Sequence, residues 1–448
     1  MIEQGLPVPR RFWAVASISA GSVLYTLDGG IPNVALPIIA EKLGIGTSAS
    51  VLVVSVYNLV LAMTLLPLAA IGERLGHRRV FVAGFLLYLV ASAGCLIASS
   101  LPALLGLRAI QALAAAGLLS VSLAMVRLVY PPDMLGRGLG FNTMASTLGA
   151  ACAPPLGGIL LAHFPWQTVF AAGIPLAVIG LATCRALPDP EVRSEPFDAR
   201  GAVLCALTFG LLISGLQALS QGAPAWLCWP IIAAGAAVAT GFVRHELGAG
   251  SPVLPVDLLA QPAMALSVAG ALLAVLASTI LLLYLPFRLH GLGFGSAAIG
   301  AMIAPYAVTV MIAAPLSGML SDRISAKSLG TAGMGIATVG VAAFAWLPEA
   351  PSFFDVSWRM VLCGLGFSLF FSPNGRLVVG SVSRTRAAGA SSLLSTTRML
   401  GQALGATGLS GMLALGLPGV APALVAGLLA ALSLLCSVAR SMARTPQR

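Results

Sequence analysis

The stretch Ala69-Ala-Ile-Gly-Glu73-Arg74-Leu-Gly76-His-Arg78-Arg79 ends one apolar segment, and a related stretch, Gly318-Met-Leu-Ser-Asp322-Arg323, ends another. The acid–arginine pairs of the two stretches lie 249 positions apart. The same offset separates Arg137-Gly-Leu-Gly140 from Arg386-Ala-Ala-Gly389. A shared offset indicates an internal duplication, which in a membrane protein usually means two helical halves around a central substrate path.

The composition indicates a membrane protein. Of the 448 residues, 58% are hydrophobic and 8% are charged, and the mean hydropathy is +0.98. A soluble surface cannot be built from so few charged residues. About 20 residues cross a bilayer, and the sequence predicts fourteen spans, which begin near Phe12, Ala49, Val80, Leu101, Gly138, Trp166, Gly201, Trp226, Ala263, Ala297, Leu329, Trp358, Ala388 and Val420.

The duplication predicts how these helices are arranged. Residues 12–187 would form one six-helix bundle, and residues 263–440 a second bundle related to it by pseudo-symmetry. The segment between them, 188–262, would carry two extra membrane helices and their linkers. The predicted fold is therefore an all-α integral membrane protein with 14 transmembrane helices.

The basic residues predict the orientation. Most of the 24 lysines and arginines fall on the side of Met1, whereas Lys42, Arg288 and Arg359 fall on the other side. Because basic loops are retained in the cytoplasm, both termini are predicted to be cytoplasmic. The net charge of +10 then reflects topology and contact with membrane lipid, and no nucleic-acid partner is expected.

Several classes of protein are disfavoured by the motifs that the sequence lacks. The 7 cysteines stand singly, without the spacing of metal ligands. There is no glycine-rich phosphate loop followed by lysine and no nucleophile elbow. An enzyme, an ATP-driven pump, a metal site and a bound cofactor are therefore not expected.

Asp28 is the only acidic residue well inside a predicted span. An ionised carboxylate is costly in a bilayer, so Asp28 should be protonated or paired with a cation. A proton and a cationic substrate that compete for this group would couple their transport. The alternative is structural, with Asp28 capping a helix that breaks around Gly29-Gly30 and Pro32.

Two arginines also lie within predicted spans. Arg108 is expected to face the centre of the protein, although its side chain could instead extend to the membrane surface. Arg398 lies deeper in its span. For Arg398, a role that mirrors that of Arg108 and hydrogen bonds to the backbone beside Gly401 and Gly405 are about equally compatible with the sequence.

Aromatic and polar residues in the same helices are candidates for a substrate site, because aromatic faces attract lipophilic cations. Each of them is also compatible with ordinary packing. Together with Asp28 and Arg398, the candidates are Tyr25, Tyr57, Asn58, Gln111, Phe141, Asn142, Tyr284 and Phe287.

A first predicted gate lies in the fifth span. Small residues recur at every fourth position, at Ala145, Gly149, Ala153 and Gly157. One face of the helix therefore has small side chains and allows another helix to approach closely. Pro154-Pro155 is expected to bend this helix, and Gly158 extends the small-residue pattern. Ordinary helix packing would use the same residues.

A second predicted gate lies in the duplicated loops. Glu73 is predicted to pair with Arg127 or with the helix that starts near Ala388, and Asp322 with the helix that starts near Gly138. The alternative is that these are solvated charges worth less than about 1 kcal/mol each. The other predicted members of this gate are Arg74, Gly76, Arg78, Arg137 and Arg323.

Taken together, these motifs resemble those of the major facilitator superfamily, and within it the 14-helix drug:proton antiporters. The stretch 69–79 resembles the loop motif between helices 2 and 3, and 27–37 resembles a helix 1 motif. Residues 107–111 match the start of a helix 4 motif, and 149–158 resemble the antiporter motif of helix 5. Three glycines of these motifs are replaced, by Ala69, Ala112 and Ala153.

The resemblance implies a proton-coupled antiporter for multidrug efflux, which exports hydrophobic or cationic compounds by alternating access and works as a monomer in a bacterial plasma (inner) membrane. It also implies that Asp28 and Arg108 share a proton-coupling network through water or Gln111. Two other interpretations stay open. One is a carrier for a single metabolite or organic anion, with Arg108 and Arg398 as anion partners, and the other is a membrane sensor or assembly factor that does not transport.

Overall fold

The structure is a computed structural model that describes residues 5–131, 134–188, 198–248, 254–382, 386–417 and 419–442. This part of the chain is helical and contains no β-strand. Its α-helices are α1 (Val8–Gly30), α2 (Pro32–Leu43), α3 (Thr47–Ser50), α4 (Leu52–Leu75), α5 (His77–Leu96), α6 (Leu101–Val129), α7 (Leu135–His163), α8 (Ile174–Thr183), α9 (Ala199–Ser220), α10 (Ala225–Gly248), α11 (Pro262–Gly291), α12 (Ser296–Arg323), α13 (Ala326–Ala342), α14 (Phe353–Gly380), α15 (Ala387–Ala414) and α16 (Ala421–Met442).

The number of membrane spans differs from the expected total. In the described chain, 12 helical segments are long and apolar enough to cross a membrane, or 13 if the bent pair α1 and α2 counts as one span. α15 has 28 residues but is not among them, because Arg398, Gln402 and many Gly, Ser and Thr residues lower its hydropathy. The protein is an all-helical membrane protein, and the total of 14 spans stays a prediction.

The helices pack in two groups with matching contacts. In the N-terminal group, α1 to α8, α6 packs against α4 and α5, and α1 packs against α7 and α8. In the C-terminal group, α11 to α16, α14 packs against α12 and α13, and α11 packs against α15 and α16. The repeated pattern is the arrangement that an internal duplication predicts.

The two groups meet at the end of the molecule where α2 finishes, which we call the Lys42 end. There, α2 packs against α11, and α3 packs against α15. The opposite end, where α4 finishes and α5 begins, is called the Arg79 end. Met399 of α15 belongs to the same buried apolar cluster as Tyr57 and Leu61 of α4.

The inserted helix α9 connects the two groups. It packs against α4, α15 and its neighbour α10. Near the Lys42 end, Gln217 of α9 donates to Ser410 of α15 at 3.2 Å and accepts from Thr407 at 2.8 Å. Gln221 donates to the carbonyl of Ser48 in α3 at 2.9 Å, and Ser410 donates to the same carbonyl at 3.1 Å. Gln217 of α9 and Gln221, which directly follows α9, thereby link α3 and α15.

The small residues of α7 produce the close contacts that the sequence predicts. Gly149 packs against α1, where an added Cβ would lie 2.6 Å from the carbonyl oxygen of Val23. Gly158 packs against α12, where an added Cβ would lie 2.8 Å from the carbonyl oxygen of Ser296. α7 runs through Pro154 and Pro155 as one helix. Opposite sides of α7 therefore contact the two groups, and its role as a gate stays a prediction.

Gly300 of α12 provides a test of this contact. A Cβ at Gly300 would lie 2.5 Å from the carbonyl oxygen of Pro154, so Gly300→Ala must push α12 away from α7. We expect the variant to lose about 1–3 kcal/mol of stability, as overpacked sites do, measured as a lower unfolding temperature in detergent. Gly335→Ala in α13 is the matched control, because nothing lies within 4 Å of its added Cβ. Equal unfolding temperatures for the two variants would contradict the close packing.

Candidate functional site

The candidate site lies where the first membrane span is broken. α1 ends at Gly30 and α2 begins at Pro32, with a bend of 42° between them. Proline has no backbone N–H, so the hydrogen-bond ladder of the helix is interrupted at this point. Asp28 lies in the last turn of α1 and is 3% exposed. The break thus places a buried carboxylate near the middle of the bundle.

Arg108 of α6 neutralises this carboxylate directly. Its Nη1 atom lies 3.1 Å from both Asp28 Oδ1 and Asp28 Oδ2, and its Nη2 atom donates to the Asp28 carbonyl at 3.4 Å. Arg108 is 1% exposed, and its Nε atom donates to the carbonyl of Val53 in α4 at 3.4 Å. The sequence places water or Gln111 between the two charges, but in the structure they form an ion pair. Arg108 does not extend to the membrane surface.

Aromatic side chains surround the ion pair. The guanidinium carbon of Arg108 lies 4.2 Å from the ring centroid of Tyr57 and 5.3 Å from that of Phe170. The hydroxyl of Tyr88 in α5 donates to Asp28 Oδ1 at 3.1 Å. Tyr88 and Phe170 are absent from the sequence-based candidates, because a single aromatic residue in an apolar helix is usually a packing residue.

Gln111 provides a second side-chain acceptor for the arginine. Its Oε1 atom accepts from Arg108 Nη1 at 2.8 Å. Its Nε2 atom donates to Ser92 Oγ at 2.8 Å and to the carbonyl of Phe170 at 3.1 Å. Gln111 is fully buried. The network therefore offers Arg108 a neutral acceptor in addition to the carboxylate.

The hydrogen bonds distinguish between the two proposed roles of Asp28. The capping role requires its carboxylate to accept from backbone N–H groups at the break. In the described residues, the carboxylate accepts instead from the side chains of Arg108 and Tyr88. Within the described part of the chain, Asp28 is therefore one member of a buried ion pair and does not cap the broken helix.

Some of the sequence-based substrate candidates lie close to the pair, and others lie apart from it. Tyr57 contacts the pair and donates to the carbonyl of Tyr25 at 3.4 Å. Asn58 is buried beside it in α4. Phe141 and Asn142 line a small pocket between α1, α6 and α7, and Asn142 accepts from Ser22 at 2.6 Å.

The candidates in α11 lie in another part of the fold. Tyr284 is buried, and its hydroxyl donates to the carbonyl of Gly419, which precedes α16. Phe287 packs against the same large apolar core. These two residues stabilise the C-terminal group, and the structure does not bring them to the ion pair.

The predicted loop gate lies at the Arg79 end. Five of its charged residues are exposed there, namely Glu73, Arg74, Arg127, Arg137 and Arg323, and Arg78 is half-buried. In the described residues, Glu73 has no ion-pair partner, so the predicted contact with Arg127 is not formed in this conformation. Gly76 has a φ of 96°, which allows α4 to turn sharply into α5. The side chain of Asp322 lies outside the described part of the structure.

The comparisons with known proteins decide the family. A family model described as "Major Facilitator Superfamily" matches residues 18–406. The chain belongs to this superfamily. Members of the major facilitator superfamily are membrane transporters, and this chain is a transporter rather than an enzyme.

Relatives within the superfamily match most of the chain. "Uncharacterized transporter YebQ" of Escherichia coli K12 is 37% identical over 406 residues, covering 90% of this chain and 89% of the relative. "Riboflavin transporter RibZ" of Clostridioides difficile is 27% identical and covers 88% of this chain and 87% of the relative. "Multidrug resistance protein Stp" of Mycobacterium tuberculosis is 29% identical and covers 88% and 74%, respectively.

Solved structures of the superfamily fold are also similar. A bacterial homologue of the lysosomal transporter Spinster, in an inward-facing and unoccupied conformation, has a TM-score of 0.68 at 18% identity and covers 97% of this chain and 98% of its own. A POT family transporter bound to 5-aminolevulinic acid has a TM-score of 0.71 at 15% identity, covering 98% and 97%. At this identity, the likeness concerns the fold.

The buried pair of this superfamily member predicts how its stability responds to substitution. Asp28→Asn and Arg108→Gln each leave one unpaired charge in the interior, which costs about 3–5 kcal/mol. We expect the double variant to unfold at a higher temperature than either single variant, because no charge is left unpaired. The measurement is thermal unfolding in detergent, with Arg127→Gln as an exposed control. Additive losses in the double variant would show that the two residues do not interact.

Proposed function

We propose that the protein is a proton-coupled antiporter that exports hydrophobic compounds by alternating access. The observation that carries this proposal is the ion pair between Asp28 and Arg108, both of them buried and only 3.1 Å apart. A charged pair inside a membrane protein is expensive to maintain and is most often retained for function. The relative named as a multidrug resistance protein supports export.

The pair provides a switch with two states. When Asp28 is ionised, Arg108 is held by the carboxylate. When Asp28 takes up a proton, the ionic part of the interaction is lost, and Gln111 Oε1, at 2.8 Å, keeps Arg108 in place. Because Asp28 belongs to α1 and Arg108 to α6, this change alters the contact between two helices of the N-terminal group. Proton uptake is thereby linked to helix movement.

The movement we propose is a rocking of two six-helix bundles, residues 12–187 and 263–440. The segment 188–262 adds two helices, for a total of 14. The bundles contact each other at the Lys42 end through α2 and α11 and through α3 and α15, and we propose that this conformation opens toward the Arg79 end. The exposed gate charges, Glu73, Arg127 and Arg323, would pair only when that end closes. Because the Arg79 end is basic, we place it and both termini in the cytoplasm of a bacterial cell.

The site supports proton binding more strongly than direct binding of a cationic substrate. The preference for cationic compounds rests on an available carboxylate at Asp28. In the structure both carboxylate oxygens face Arg108, so a cation reaches them only by displacing a guanidinium. We therefore assign the proton to Asp28 and place the substrate elsewhere between the bundles. The transporter is proposed to act as a monomer in contact with membrane lipid and to use no cofactor.

Proton flux in proteoliposomes tests the proposed function. With an imposed pH gradient, addition of a transported hydrophobic compound should release the gradient in the parent protein, as reported by a pH-sensitive dye. Asp28→Asn cannot exchange the proton, so we expect the substrate-induced flux to fall at least about tenfold. Glu349→Gln, at an exposed loop position, should behave like the parent. Equal flux in the parent and Asp28→Asn would remove Asp28 from the coupling mechanism.

A further inference from the structure

The faces of α15 locate the side chain of Arg398. Successive residues of an α-helix are about 100° apart around its axis. Met399 faces α4, where it belongs to the same apolar cluster as Tyr57. Gly401 and Gly405 face α11, where a Cβ on Gly401 would lie 2.8 Å from Val275. The remaining side of α15 packs against α9 through Leu400, Ala403 and Leu404.

Arg398 lies between the face toward α4 and the face toward α11. α4 belongs to the N-terminal group and α11 to the C-terminal group, so Arg398 points into the gap between the two groups. Ser395 and Gln402 share this stripe, since they lie three and four residues away on the same side of the helix. Arg398 and Ser395 are exposed, and Gln402 is half-buried. We call these three residues the α15 polar stripe.

An arginine in a membrane span is ordinarily explained by contact with lipid at the membrane surface or by hydrogen bonds to the protein. The surroundings of Arg398 exclude both explanations. It lies about 17 Å from the start of α15, at 1.5 Å per residue, and a guanidinium at this depth cannot face lipid without a large cost. In the described residues, it has no hydrogen bond and no ion pair. The backbone contacts beside Gly401 and Gly405 that the sequence allows are therefore not formed.

The carboxylates of the spans do not neutralise this arginine. Asp28 is already paired with Arg108. The other acidic residues of the helices lie within the first or last turn of each helix, at Glu41, Glu73, Glu246, Asp322 and Asp355. The middle of the gap therefore carries the positive charge of Arg398, which attracts anions and repels cations.

We propose that Arg398 binds an acidic group of the substrate, so that the transported compounds are hydrophobic molecules with a carboxylate or a similar anionic group. A guanidinium binds a carboxylate through two parallel hydrogen bonds. Ser395 and Gln402 provide further donors on the same stripe, while Met399 and Tyr57 lie next to it for the apolar part of the molecule. This inference rests on the proposed transport of substrate through the gap between the two groups. It does not depend on whether the proton and the substrate move in the same or in opposite directions. It also removes Arg108 as an anion partner, because Arg108 is buried against Asp28.

Matched probes test this assignment. We would use a panel of aromatic carboxylic acids, each with the amide and the aminomethyl compound of the same shape, for example 2-naphthoate, 2-naphthamide and 2-naphthylmethylamine. Binding to the full chain in nanodiscs is measured as the ligand-induced rise in unfolding temperature. In the parent, the acids should bind more tightly than their amides, and the amines most weakly. Amines that bind more tightly than acids, or acids that never exceed their amides, would overturn the proposal.

Substitutions then assign the effect to one side chain. Arg398→Gln should weaken the binding of the acids about ten- to a hundredfold, the usual loss for a charge-assisted hydrogen bond, and change the amides by less than about twofold. Arg398→Lys should recover part of the affinity for the acids. Arg244→Gln removes the same charge from an exposed position of α10 and should have no effect. An equal loss for acids and amides in Arg398→Gln would reveal a structural role and overturn the assignment.

The proposed function and the substrate class fail in different ways. If Asp28→Asn keeps its substrate-induced proton flux but the acids still bind best, the coupling mechanism is wrong and the role of Arg398 stands. If Asp28→Asn loses the flux but the amines bind best, the coupling stands and the role of Arg398 is wrong.

Discussion

The buried ion pair of Asp28 and Arg108 is the interaction around which the helices of the N-terminal half are arranged. Each charge alone would be too costly in the interior of a membrane protein, and together they require partners on several helices. Asp28 comes from the broken first span, Arg108 and Gln111 from α6, Tyr88 from α5, and Tyr57 from α4. The contacts of this one ion pair therefore join four helices, and in the proposed mechanism a change in the protonation of Asp28 would act on all four.

Close backbone approach is the second constraint, because helices in lipid associate through packing more than through hydrophobic burial. Gly149 and Gly158 allow α7 to contact α1 on one side and α12 on the other. This places a helix of the N-terminal group directly against the C-terminal group. α9 performs a similar function with polar side chains, since Gln217 bonds to α15 and Gln221, directly after α9, bonds to α3. The inserted helix thus takes part in the contact between the halves.

The two arginines of the spans have different environments, although the sequence presents them as related. Arg108 is neutralised by a carboxylate and enclosed by aromatic rings, and it is 1% exposed. Arg398 is exposed on a polar stripe of α15 and has no acidic partner in the described residues. We assign the proton to the first arrangement and an anionic substrate group to the second. In this proposal, the separate sites couple a proton to a substrate without direct competition for one group.

The sequence alone determined the class of the protein, because hydropathy and charge decide whether a chain lies in a membrane, and the repeated loop motif marks a duplicated helical fold. It also singled out Asp28, Arg108 and Gln111 as candidates, since polar residues within a span are conspicuous against an apolar background. Only the tertiary structure decided their partners. Tyr88 and Phe170 have no sequence signal that distinguishes them from packing residues, and the side of α15 that faces the gap depends on how α4, α9 and α11 pack around it. Contacts between helices that are far apart in sequence depend on three-dimensional packing, which a local pattern does not contain.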